Sequence, residues 1–156
     1  PPVFLGLPDN RLDTIALLDI VQAIECVMNE VKPSVVYTHH GGDLNIDHTI
    51  AHRAVLTACR PVPGQSVKCI YGFEVLSSTE WGCPDQAGLF APNYFINIED
   101  YLSKKHVALD CYADEMRSFP HARSHEAIES LAKLRGCSVG LMSAEAFTVL
   151  RQIKAI

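Results

Sequence analysis

Several features that would place the protein in a familiar class are missing from the sequence. No apolar run approaches the roughly 20 residues that span a bilayer, and no signal peptide is visible. The formal net charge of -5 gives no reason to expect nucleic acid or an acidic membrane surface as a partner. A Gly-rich phosphate loop and a basic cluster are both absent, so phosphoester hydrolysis has no support.

The cysteines also lack the pattern of a structural metal site. There are six, at positions 26, 59, 69, 83, 111 and 137, and none forms a C-x-x-C pair. Buried free thiols in a reducing compartment are the simplest interpretation, which favours the cytoplasm. With 156 residues, 48% of them hydrophobic and 20% charged, the chain is expected to form one globular domain over residues 1–156.

Helical and strand patterns alternate along the chain. Helices are predicted at 15–31, 47–59, 99–116 and 125–135, and strands at 3–5, 34–38, 67–75 and 93–98. Residues 76–91 are irregular, and 144–153 fit either a short helix or a last strand. The alternation predicts an α/β domain with a mostly parallel sheet and flanking helices. The loops that follow the strands should then meet at one edge of the sheet, where such folds bind ligands.

The stretch 38–54 is the most informative part of the sequence, because polar side chains gather where a strand ends and a helix begins. It contains His39, His40, Asp43, Asn45, Asp47, His48 and His52. Neutral imidazole is the commonest transition-metal ligand, and a neighbouring carboxylate can orient it. Three interpretations stay open from the residues alone: a metal site, a catalytic or binding site without metal, and helix capping with a solvated surface. His52 is expected to point away from the loop.

Three separated motifs resemble the LmbE/PIG-L family of zinc-dependent N-acetylglucosaminyl deacetylases. The first is Gly-Asp-Leu-Asn-Ile-Asp-His at 42–48, after a Val-Val-Tyr strand. The second is the segment 4–12, which resembles the part that follows the third strand of family members. The third is Arg-Ser-His-Glu-Ala-Ile at 123–128, with Arg-Gly at 135–136 and Ala-Glu-Ala-Phe at 144–147. The resemblance implies a Rossmann-like, LmbE-like sheet and the metal-assisted removal of an acetyl group from a small N-acetylglucosamine-type sugar or conjugate.

The resemblance also implies roles for individual residues. His48 matches a histidine ligand of Zn²⁺ or another divalent metal, and Asp47 matches the carboxylate that tunes the catalytic acid. Asn45 stands where many members have an acid histidine; an amide cannot donate a proton, but it can bind substrate or an oxyanion. His121 is therefore the favoured acid, ahead of His40.

The segment 4–12 carries two further expectations. Asp9 matches a position that contacts the sugar, with Arg11 beside it. Asp9 can equally serve only to shape the turn that Pro8 and Asn10 form with it.

One family motif, Ala-His-Pro-Asp-Asp, is absent. It carries two zinc ligands and the general base of the family. The resemblance then implies an α/β domain that lacks its first β-α-β-α portion, with a metal incompletely ligated by this chain. The alternative to an active deacetylase is a catalytically incomplete chain, or one that needs a partner chain. An incomplete sheet also favours association into a homo-oligomer.

Overall fold

The computed structural model describes residues 1–83 and 88–154. Two compact units divide the chain, the first formed by residues 1–90 and 148–156 and the second by residues 91–147. Each is described by itself, so the expected single domain stays a prediction. Part of the irregular segment 76–91, namely residues 84–87, lies outside the described residues. Within the described ranges, no helix is both long and apolar enough to cross a membrane.

Two helices form one side of the first unit. Helix α1 (Leu17–Val31) ends where Lys32 adopts a left-handed backbone with φ of 49° and donates its N–H to the Met28 carbonyl at 2.8 Å. Pro33 follows and cannot continue a helix. Helix α2 (Ile46–Ala58) begins at Asn45, whose side chain caps it. The two helices share one core cluster of buried side chains, formed by Leu12, Ile20, Val21, Ala54 and Ala58.

Two parallel strands complete the part of the first unit that holds the polar cluster. Strand β1 (Val35–His39) pairs with β2 (Cys69–Phe73), from Val35 opposite Cys69 to His39 opposite Phe73. A second core cluster of Cys59, Val67 and Ile70 packs beside them. Because the strands are parallel, the loops that follow them leave from the same edge of the sheet. The loop 40–45 and the segment after Phe73 are thereby neighbours.

The second unit contains strand β3 (Tyr94–Asn97), helix α3 (Leu102–Asp110), helix α4 (His125–Cys137) and the start of strand β4 (Ala144–Gln152). Strands β3 and β4 are antiparallel, with Tyr94 opposite Phe147. Helix α4 begins at Ser124, whose hydroxyl accepts a hydrogen bond from the Ala127 N–H at 3.1 Å and so caps the helix. Strand β4 passes from the second unit into the first.

The expected α/β class, with one sheet and flanking helices, is confirmed. The sheet has four strands in the order β1-β2-β4-β3, and its β3–β4 pair makes it mixed. The strand predicted at 3–5 is wrong: among the described residues no strand pairs with it, and Phe4 is 87% exposed. The helix predicted at 99–116 is too long, because after Asp110 the chain turns and the exposed Tyr112 provides no buried face. Residues 144–152 are a strand.

Candidate active site around Asp43 and His48

The candidate site lies where β1 ends and α2 begins. His39 is the last residue of β1, and the next residue, His40, donates its N–H to the Phe73 carbonyl at 2.9 Å. Further along the loop, Leu44 donates its N–H to the Ser78 carbonyl at 3.3 Å. The loop is therefore anchored to the segment that follows β2. The sequence-based expectation that loops from neighbouring strands meet at this edge is confirmed for these residues.

Asp43 is a buried carboxylate held by three hydrogen-bond donors. Its oxygens accept hydrogen bonds from the Asn45 N–H at 2.9 Å, the Thr79 hydroxyl at 2.8 Å and the Ser78 hydroxyl. Burial alone would raise the pKa of Asp43, but the hydrogen bonds, that of Ser78 foremost, outweigh it and hold the pKa below its ordinary value. The side chain is consequently ionised at neutral pH although it is almost completely shielded from solvent.

His48, in the first turn of α2, faces this carboxylate. Its Nδ1 lies 3.1 Å from Asp43 Oδ2, with the His48 side chain 19% exposed. The oxygen lies off the line of a well-aligned hydrogen bond, so the contact is mainly electrostatic. A negative charge at this position favours the tautomer with the proton on Nδ1. Nε2 then keeps its lone pair and can accept a proton or bind a metal.

His39 forms a neutral platform beneath His48. The two rings are stacked, with centroids 4.1 Å apart and an interplanar angle of 17°. Burial, followed by the nearby His48, lowers the pKa of His39 to about 4, although Asp43 acts in the opposite direction. An uncharged ring at neutral pH can pack against His48 without electrostatic repulsion. His39 also contacts the Phe73 ring, with centroids 4.7 Å apart.

His52 does not point away from the loop, contrary to the sequence-based expectation. Its Nδ1 lies 2.7 Å from the His39 carbonyl oxygen. The ring also fills the space beside Gly41, where a Cβ would lie 2.9 Å from His52 Nε2. His52 lies one turn after His48 on α2, so the helix brings both rings to the same loop. The close approach also explains why Gly41 carries no side chain.

Asp47 contacts the turn before α1, and its role as the carboxylate that tunes the catalytic acid stays a prediction. Its Oδ1 accepts a hydrogen bond from the Leu12 N–H at 2.9 Å, whereas the carboxylate that faces His48 is Asp43. Asp47 therefore fixes the turn that precedes α1. The role of Asp43 was missed in the sequence because its partners, Ser78 and Thr79, lie 35 or more positions away.

Asn45 joins the predicted substrate residues to the loop. Its Oδ1 accepts the Asp47 N–H at 2.9 Å, and its Nδ2 donates to Asn10 Oδ1 at 3.3 Å. Asn10 in turn donates to Asp9 Oδ2 at 3.0 Å. The structure thus brings Asp9 close to the start of α2. Arg11 follows in the same exposed turn.

The two histidines considered as acids have different surroundings. His40 Nε2 lies 3.3 Å from the Gly88 carbonyl oxygen, and its ring meets the edge of Phe90 at 5.4 Å between centroids. His121 belongs to the second unit, where its Nδ1 accepts a hydrogen bond from the Arg123 N–H at 3.0 Å. His121 is exposed, and its assignment as the acid stays a prediction.

The described residues do not fit a complete zinc site. A catalytic zinc takes three protein ligands at about 2.0–2.2 Å, yet the described residues contain no group of three or more His, Cys, Asp or Glu side chains that could hold a metal. The rings of His39 and His48 are stacked in nearly parallel planes, so their nitrogens do not point toward a common metal position. His48 alone, with Asp43 behind it, fits the role of a single ligand.

Comparison with known proteins places these residues in context. Residues 2–59, which include the whole loop and helix α2, match the family described as PIG-L: GlcNAc-PI de-N-acetylase. No curated protein matches the chain.

Solved structures share the fold at low identity. The conserved protein TT1542 from Thermus thermophilus is 19% identical, with a TM-score of 0.71 over 97% of this chain and 66% of that one. GalB, the 4-carboxy-2-hydroxymuconate hydratase from Pseudomonas putida, is 19% identical, with a TM-score of 0.65 over 89% and 61%. The N,N'-diacetylchitobiose deacetylase from Pyrococcus horikoshii is 14% identical, with a TM-score of 0.68 over 94% and 56%.

The chain thus spans less than two thirds of the length of these three proteins. These solved structures include both a hydratase and a deacetylase, so similarity of fold does not choose between the two reactions. The match at residues 2–59 is more specific, because it contains the motif at 42–48 from which the resemblance was first inferred. Residues 2–59 are thus similar to the PIG-L family, and the solved structures share the fold of the chain.

Proposed function

We propose that the chain contributes Asp43 and His48 to the active site of a deacetylase that removes the acetyl group from an N-acetylglucosamine-type amino sugar. The observation that carries this proposal is the buried Asp43, ionised and fixed by Ser78 and Thr79, which faces His48 inside the segment matched to the family. The bound carboxylate holds one ring nitrogen of His48 and leaves the other available for chemistry.

The residues around His48 have distinct tasks in this proposal. Asp43 positions the His48 ring and fixes its tautomer. His39 supplies a neutral surface against which the ring is packed. Because the described residues do not complete a metal site, zinc dependence is a proposal drawn from the family, and no step is assigned to a metal.

Substrate contact is assigned to the turn before α1 and to the start of α2. Asp9 and Arg11 lie in that exposed turn, which Asn45 contacts through Asn10. Asn45 already uses its carbonyl oxygen as a helix cap, so it would meet a sugar through its amide N–H. We retain Asp47, which also fixes this turn through Leu12, as the carboxylate that tunes the catalytic acid, and His121 as the proposed acid.

The experiment that tests the proposal is acetate release from N-acetylglucosamine conjugates, measured with and without added Zn²⁺. His48→Ala should abolish zinc-dependent release. Thr49→Ala is the control on the same helical turn, since the Thr49 hydroxyl only bonds back to the Ile46 carbonyl. Equal activity of His48→Ala and the parent chain would refute the assignment.

A second candidate function is a chain that is not catalytic alone and acts only with a partner polypeptide. It is favoured by the lack, among residues 1–83 and 88–154, of three side chains that could hold a metal. The same assay separates the candidates. Acetate release by the purified chain supports the first, and release that requires another polypeptide supports the second.

A further inference from the structure

A second pair of histidines lies outside the candidate active site, between helices α3 and α4 of the second unit. His106 Nδ1 and His125 Nδ1 are 2.6 Å apart, and the ring centroids are 4.8 Å apart. Two ring nitrogens at this distance cannot both carry a proton, so one donates and the other accepts. At least one of the two Nδ1 lone pairs is therefore directed at the partner ring.

Carboxylates flank the pair on both helices. Asp110 follows His106 by four positions on α3, and its Oδ1 lies 2.9 Å from Nε2 of His125. Glu129 follows His125 by four positions on α4, where it pairs with Lys133 at 2.7 Å. The pKa of Glu129 is lowered, chiefly by Lys133 and in smaller part by His106, so a negative charge lies near the pair.

The lysine next to the histidine pair in the sequence forms its ion pair with another residue. Lys105, next to His106 in the sequence, binds Glu145 at 2.7 Å. The His125 side chain is 41% exposed and the Asp110 side chain 64% exposed, so an ion can reach the pair from solvent. A carboxylate on the outer nitrogen of a histidine is the arrangement that orients imidazole metal ligands and raises their basicity.

We propose that His106 and His125 form a surface site for a divalent transition-metal ion such as Zn²⁺, in which the ion replaces the shared proton. Each ring would contribute Nδ1, Asp110 would orient His125 from its outer nitrogen, and water would fill the remaining positions. Zn–N bonds of about 2.0–2.1 Å in tetrahedral geometry require ligand nitrogens roughly 3.3 Å apart. The rings must therefore separate by less than about 1 Å.

Two protein ligands make a weaker site than the three or four of dedicated zinc centres. This agrees with the finding that the described residues contain no group of three side chains that could hold a metal. The site is independent of the proposed deacetylase function, because its two ligands and the carboxylate that orients His125 lie within residues 102–137. Imidazole also suits Cu²⁺ and Ni²⁺, so the ion bound in the cell depends on metal availability.

The test is a titration of the whole chain with Zn²⁺, followed by NMR of the histidine ring ¹H and ¹⁵N signals. Binding should shift the His106 and His125 signals together, with the Nδ1 atoms affected most. This measurement is specific for each residue, so zinc binding at His48 cannot imitate it. Ring signals of His106 and His125 that stay unchanged at saturating Zn²⁺ would overturn the proposal.

Variants provide a second measurement by calorimetry. His106→Gln and His125→Gln should each remove this binding event, and Asp110→Asn should weaken it. His121→Gln is the matched control, since it makes the same change in the same unit outside the pair. Retention of the full heat of zinc binding in both His106→Gln and His125→Gln would also contradict the site.

Discussion

At the scale of single residues, Asp43 shows how the fold keeps a negative charge in a place from which water is largely excluded. An ionised carboxylate tolerates burial only when other groups replace its hydration. Here the replacement comes from two hydroxyl groups of the segment after β2, one backbone N–H and the His48 ring. The same bonds that stabilise the charge also fix its direction, which is what an orienting residue requires.

Asp43→Asn should lower deacetylase activity roughly 10–100-fold, as changes behind a ligand or catalytic histidine commonly do. The neutral amide cannot accept all the bonds that the carboxylate accepts. In asparagine an NH₂ group, which donates, replaces one carboxylate oxygen and would face Ser78 or Thr79. The measurement is kcat and KM for acetate release, together with urea unfolding. Asp19→Asn, at an exposed position in the first turn of α1, is the control. Equal kcat in Asp43→Asn and the parent chain would exclude an orienting role.

His39 should make stability depend on pH. Its pKa is about 4 in the folded chain and 6.5 in the unfolded chain, so between these values the unfolded state binds more protons. Stability is then fully present above pH 6.5 and falls as the pH decreases to 4, by at most about 3 kcal/mol. Urea midpoints at about pH 7, 5.5 and 4, which span the interval between the two pKa values, measure this. His39→Gln should flatten that part of the profile, and an unchanged slope would show that other groups cause it.

At the scale of elements, two loops rather than one make the site. The loop between β1 and α2 approaches the segment after β2 so closely that a Cβ on Gly82 would clash with the Gly42 carbonyl oxygen. Backbone atoms cannot move aside as the end of a flexible side chain can. The contact therefore sets the distance at which Ser78 and Thr79 reach Asp43.

Gly82→Ala should consequently disturb the site as well as the fold. We expect a loss of about 1–3 kcal/mol in unfolding free energy, as for overpacked positions, together with a fall in kcat. Gly72→Ala is the matched control, because its Cβ would make an ordinary contact at 3.5 Å with Leu150 Cδ1. Urea unfolding and acetate release are measured on both variants. Similar stability of the two would refute the importance of the loop contact.

The elements differ in how far the sequence could predict them. Helix α1 was predictable from its apolar period and its stop at Lys32-Pro33, and strand β1 from its short β-branched run. The strand expected at 3–5 was not, since pairing depends on a partner and not on local composition. His48 was found through its motif. Asp43 could not be assigned a role, because the distant hydroxyl groups that orient it become neighbours only in the folded chain.

At the scale of the whole molecule, the open edge of the sheet sets the expectation for association. Strand β1 is the first in the sheet order, so one of its sides has no strand partner among the described residues. Val35 is 42% exposed there. An edge strand with exposed apolar side chains can serve as a template for pairing with another chain.

The purified chain should therefore associate as its concentration rises, and a charge on this edge should prevent it. Val35→Lys is expected to shift the molecular mass measured by light scattering toward that of one chain, because lysine on an edge strand opposes strand pairing. Val62→Lys is the matched control, since Val62 is also exposed, at 57%, but lies outside the strands. If both variants reduce association equally, general surface charge is responsible and not the β1 edge. If neither does, the contact between copies lies on another surface.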